Sequence, residues 1–202
     1  MNFIILASTL ILGLFIALFT KKENTALEKE ETIFWTKEHK SNFVRKKPLD
    51  NLDYITIPED ILTMQPDNAS AQTLSYLQDL NDMSCLKIVN LTGISNTDLK
   101  LTYGTANITV LSEYDNHYTQ MVTILQKLAE NLVACEDVEH AIRVLEFSIS
   151  TDSDVSKSYY LLWELYKQVG TPEKNHFLIQ HAEKIQSIMK DSILRNLKAS
   201  GQ

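Results

Sequence analysis

The chain has 202 residues, 44% hydrophobic and 22% charged, with 19 basic and 26 acidic side chains and a formal net charge of −7. That leaves room for one membrane span and one domain of ordinary size, and excludes a collagen, a disulfide scaffold and a long disordered chain. With only five glycines and four prolines, a many-turned β-sandwich is poorly supported and an all-α chain is expected.

Asn2 to Thr20 is a run of 19 uncharged residues, which as a helix spans about 28 Å at ~1.5 Å per residue, close to the ~30 Å hydrocarbon core. No basic residue precedes the run and no Ala-x-Ala pattern ends it, so it reads as a retained transmembrane helix and not as a cleaved signal peptide. Residues 1–20 are thus expected to be a single-pass anchor, with residues 2–20 in the lipid bilayer of the cell membrane. Lys21, Lys22, Lys29 and Lys37 all follow it, which puts the rest of the chain in the cytoplasm.

Residues 21–47 carry eight basic and five acidic side chains, a net of +3, whereas residues 48–202 carry 11 and 21, a net of −10. A basic helical stalk is expected over 21–47, near anionic headgroups that repel the acidic domain beyond. Phe34 and Trp35 on it are interfacial or packing contacts. Residues 48–70 read as an extended strap and loop. Leu52 to Pro58 alternates polar and apolar residues, and Pro58, Glu59 and Asp60 open a short helix.

A helical domain is expected over 71–202. Leu74, Leu77 and Leu80 mark a helix beginning near Ser70, and Ser95 to Asp98 looks like the cap of another. Met121, Ile124, Leu125, Leu128 and Leu132 recur at helical spacing. Asp137 then caps a helix carrying Val138, Ala141, Ile142, Leu145 and Ile149. A second hairpin follows, with Tyr159, Leu162 and Tyr166 before a stop at Gly170. Thr171 as N-cap and Pro172 at N1 precede Leu178, Ile179, Ala182, Ile185 and Met189. Leu128 and Leu162, Leu132 and Tyr166, Leu145 and Ile179, and Ser148 and Ala182 are each 34 residues apart, so the hairpin repeats. Cys85 and Cys135 read as reduced core residues.

Over about residues 122–186 this spacing resembles the tetratricopeptide repeat, in which two-helix units of 34 residues stack on one another. Ala129, Ala141, Tyr166, Gly170 and Ala182 fit that pattern. Trp163 and Asn175 depart from its small residues, and Glu136 stands at its turn glycine. An ordinary antiparallel bundle with an accidental period is the competing reading. The resemblance implies a groove lined by the first helix of each hairpin, whose partner-binding positions fall on Thr123, Gln126, Glu130, Lys157, Tyr160, Glu164 and Lys167. It also implies that Tyr160 is the anchor of a protein partner. More broadly, the anchor, residues 45–55 and residues 94–101 resemble uncharacterised membrane-anchored proteins of anaerobic Gram-positive bacteria.

Catalytic signatures are absent. The glycines at 13, 93, 104, 170 and 201 form no phosphate loop, and no Gly-x-Ser-x-Gly or His-Glu-x-x-His is present. His176 and His181 are five apart, on different sides of a helix, so no shared metal and no cofactor is expected. The acidic domain disfavours nucleic acid. The expected function is a membrane-tethered protein interaction or scaffold module without enzymatic activity of its own. The alternative is an enzyme or small-molecule sensor with a dispersed site, whose mark would be a polar pocket with converging titratable groups.

Overall fold

A computed structural model describes residues 3–200; the side chains of 3–7, 9, 10, 17, 23–27 and 200 lie outside that description. The described chain is all-helical and contains no strand; one antiparallel bridge joins Tyr54 and Val89. It divides into two compact units, residues 1–47 with 95–108, and residues 48–94 with 109–202.

In the first unit, α1 (Phe3–Ser41) is one unbroken helix, so the uncharged run continues directly into the stalk. Among the described residues no helix is long and apolar enough to cross a membrane. The transmembrane anchor expected over 1–20 is therefore not borne out as a span. The uncharged run ends at the first charges of the stalk, Lys21 and Lys22. Asn2 and several other positions of the expected span lie outside the described residues.

The far end of α1 is clasped by α4 (Asn96–Tyr103), a short helix that begins where the Ser95 hydroxyl accepts from Asp98 N at 3.1 Å. Lys100 Nζ and Thr97 Oγ1 both donate to the Glu38 carboxylate at 2.5 Å, and Lys37 Nζ lies 2.6 Å from Asp98 Oδ1. The Lys100 and then the Thr97 hydrogen bond hold the Glu38 carboxyl below its ordinary value of 4.5; Lys37 and then Ser95 do the same for Asp98 below 3.8. Residues 95–108, counted with the C-terminal domain on sequence, thus group with 1–47.

The second unit holds α2 (Glu59–Leu62), α3 (Ala71–Met83), most of α5 (Ile108–Ala134), α6 (Val138–Ser150), α7 (Ser156–Gln168), α8 (Asn175–Ala182) and α9 (Lys190–Ser200). Leu128, Leu132, Leu145, Leu162 and Tyr166 are all buried in one core, with Ile179 packed at its edge. In α3, Leu77, Leu80 and Met83 are buried whereas Leu74 is 55% exposed, because Thr73 takes the inward place. Cys135 is half-buried and Cys85 exposed, so neither is a core residue.

The repeat extends to backbone hydrogen bonds. Asp137 N donates to Leu132 O at 2.9 Å and, 34 residues on, Thr171 N donates to Tyr166 O at 2.8 Å. These are the six-residue bonds of a Schellman stop. The left-handed residue each stop requires is Glu136 (φ +63°) in the first and Gly170 (φ +75°) in the second. Thr171 makes no side-chain cap; Pro172 starts a 3-10 turn (Pro172–Lys174) before α8. Sequence reading carries α8 on through Ile185 and Met189, but the helix stops at Ala182 and the chain turns before α9. Ile185 is buried in that turn, so an apolar residue at helical spacing marks core and not helix.

α9 is a further copy of the first helix of the repeat. Leu125, Tyr159 and Ile193 are spaced by 34 and fully buried, and Ala129, Trp163 and Leu197 follow at the same spacing, each at most 6% exposed.

Because a side chain at positive φ costs roughly 1–2 kcal/mol that glycine avoids, Glu136→Gly should raise stability by about 0.5–1 kcal/mol after the added chain entropy of glycine; denaturant unfolding measures it, and a loss of stability would contradict the Schellman stop. In the first unit, the depressed carboxyls of Glu38 and Asp98 stabilise the clasp above their ordinary values of 4.5 and 3.8. That contribution fades as pH falls through the lower folded values. Amide exchange of α4, corrected for intrinsic rates, should lose protection in acid, and Glu38→Gln should reproduce the loss at neutral pH.

Candidate functional site

The helices that begin each unit of the repeat, α5, α7 and α9, are tied side by side. The Ser158 hydroxyl of α7 donates to Gln126 Oε1 of α5 at 2.5 Å, and Asn196 Nδ2 of α9 donates to the Tyr160 hydroxyl of α7 at 2.6 Å. Each helix turns a buried stripe into the core: Leu125, Leu128 and Leu132; Tyr159, Leu162 and Tyr166; Ile193 and Leu197. Their outer positions carry the residues expected to meet a partner.

Those residues do not share one environment. Thr123, Glu130, Lys157, Glu164 and Lys167 are exposed. Gln126 is 7% exposed and fully engaged, its Nε2 donating to Glu130 Oε1 at 3.0 Å while its carbonyl takes the Ser158 hydroxyl. It is an internal tie, because a residue facing outward from one helix is covered once the next helix stacks alongside. Tyr160 is half-buried, packed against the core with its hydroxyl on Asn196, which leaves only part of the ring free. Thr123 opens into a cleft of about 410 Å³ between α3 and α5 with Asp79, Asp82 and Ile124.

What remains accessible is a charged row. Glu130, Glu164 and Lys198 are spaced by 34 and all exposed; so are Thr123, Lys157 and Asp191. Lys167 Nζ lies 2.7 Å from Glu164 Oε1 and above the Trp163 ring at 5.5 Å, so the free charge on α7 is partly neutralised. Asp191 and Lys198 are missed on sequence, although Leu125, Tyr159 and Ile193 carried the signal, since extending α8 to Met189 left no place for a further first helix.

Around the same core three tyrosines are held neutral. Burial pushes the Tyr118 hydroxyl up to about 12. Burial likewise raises Tyr159, and burial with the hydrogen bond to Glu146 raises Tyr166. Tyr159 donates to Ser153 O at 2.9 Å and Tyr166 to Glu146 Oε1 at 2.7 Å, so they serve as buried donors. His176 Nδ1 lies 2.7 Å from Glu173 O and His181 Nδ1 lies 3.1 Å from Asp152 Oδ1. Among the described residues no group of three His, Cys, Asp or Glu could hold a metal ion.

No family model, no curated protein and no solved structure matches the chain. The site is therefore read from geometry and charge alone.

If Gln126 is an internal tie, Ser158→Ala removes the one hydrogen bond that its buried carbonyl oxygen accepts among the described residues, which costs about 1–3 kcal/mol. Denaturant unfolding should show a loss in that range, and a neutral effect would return Gln126 to the surface as a partner contact.

Proposed function

We propose that this protein is a helical-repeat interaction module, of the tetratricopeptide kind, that acts by binding a protein partner at a membrane. The observation that carries the reading is the row Glu130, Glu164 and Lys198, repeated every 34 residues on helices whose other sides are buried in the core. Such a row offers evenly spaced contacts to one extended or helical segment. Two carboxylates followed by an ammonium select a partner of mixed or basic charge and repel an acidic tail. Exposed Glu164 and Glu130 replace half-buried Tyr160 as the residues that set partner choice.

The tether rests on sequence: the 19 uncharged residues from Asn2 to Thr20, followed by Lys21, Lys22, Lys29 and Lys37, support residues 2–20 in the bilayer and the second unit in the cytoplasm. Against it stands that, among the described residues, no helix is long and apolar enough to cross a membrane. Phe34 and Trp35 lie about 22 Å along the helix beyond Thr20 at ~1.5 Å per residue. Past the headgroups, these exposed rings face a protein and not lipid.

Two measurements on the full chain test the proposal. Carbonate washing of membranes should leave the chain in the pellet, and deletion of residues 2–20 should release it; release of the intact chain would sink the tether. Glu130→Lys with Glu164→Lys should deplete the protein that copurifies in detergent while leaving the unfolding midpoint in place. Undiminished copurification would remove this row from the interface.

A further inference from the structure

The second unit contains a polar cleft of about 290 Å³ that the interaction surface does not use, walled by four segments distant in sequence. Asp53 and Ile55 come from the strap, Thr92 and Ile94 from the loop after α3, Asp152 from the turn after α6, and Lys184 and Gln186 from the turn after α8. The walls are fixed from behind. Asn90 Nδ2 donates to Thr151 O at 3.0 Å and to the Tyr118 hydroxyl at 3.1 Å, while its Oδ1 accepts from Thr92 N at 2.9 Å. Leu91 N donates to Asp115 Oδ1 at 3.0 Å, and Ile55 N to Ile88 O at 2.9 Å. Gly93, at φ +84°, lets the loop touch the last wall: a Cβ there would sit 2.6 Å from Gln186 Cβ. His181 orients Asp152 from outside the cleft.

The charges inside are of both signs, and Asp152 is engaged by His181. Asp53 and Lys184 have no side-chain ion pair or hydrogen bond among the described residues. Two carboxylates, Asp53 and Asp152, disfavour a simple anion, and Lys184 offsets part of the attraction they offer a simple cation. A molecule with an ammonium and a carboxylate a few ångströms apart answers both. Its ammonium fits the aspartates, and its carboxylate fits Lys184 with the Thr92 hydroxyl and the Gln186 amide as further donors. Ile55 and Ile94 add an apolar strip, and the volume is at the small end of ligand pockets, roughly 300–1,000 Å³. We propose that this cleft is a binding site for a small zwitterion, a free α-amino acid with a short apolar side chain.

The test is titration calorimetry on the full chain in detergent micelles with L-alanine, L-valine and L-leucine, alongside isobutylamine and isobutyrate, which each carry one of the two charges. At least one amino acid should bind saturably, and both singly charged compounds should bind at least about tenfold more weakly. Lys184→Ala and Asp53→Asn should each weaken binding by about tenfold or more, with the unfolding midpoint unchanged because both side chains are exposed. No heat with any amino acid up to about 10 mM, equal binding of the amine or the carboxylate alone, or unchanged affinity in both variants would overturn the proposal. None of these outcomes depends on a protein partner or on the membrane tether.

Discussion

The second unit depends on one packing constraint, that the helix opening each 34-residue unit must bury the same positions. Leu125, Tyr159 and Ile193 fill corresponding places and are all fully buried, although a leucine, a tyrosine and an isoleucine differ widely in shape. The tyrosine fits because its hydroxyl finds Ser153 O at 2.9 Å; without that acceptor its burial would leave a polar group unpaired. Trp163 takes the place that Ala129 and Leu197 hold in the other units, with its indole Nε1 buried and without a hydrogen-bond partner among the described residues. The repeat is therefore kept in burial more than in residue type.

Polar side chains tie together segments that are distant in sequence. Gln126 with Ser158 and Asn90 with Tyr118 each join segments that are separated by tens of residues, and in the first unit Glu38 gathers Lys100 and Thr97 onto the stalk helix. Buried or half-buried ties of this sort are costly when broken, since the remaining partner keeps its desolvation penalty. They hold loops in one arrangement where hydrophobic contacts alone would allow several.

The proposed interaction surface and the polar cleft are built differently. The row Glu130, Glu164 and Lys198 is periodic and lies on regular helices, as suits recognition of an extended segment. The cleft joins two or three residues from each of four segments, mostly loops and turns, as suits a compact molecule.

Local chemistry was legible in the residues themselves. Ser70, Ser95 and Asp137 cap helices as their side chains require, Pro58 precedes the short α2, and the period of 34 sets two hairpins, because caps and turns act within a single turn of chain. Tertiary structure alone decided that Gln126 faces inward, that α8 stops at Ala182 so that α9 becomes a further first helix, and that residues 95–108 clasp α1. It alone also brought Asp53, Asp152 and Lys184 to one cleft. Each of these depends on which distant segment covers which face, a question of packing across loops that the periodicity of any one helix does not contain.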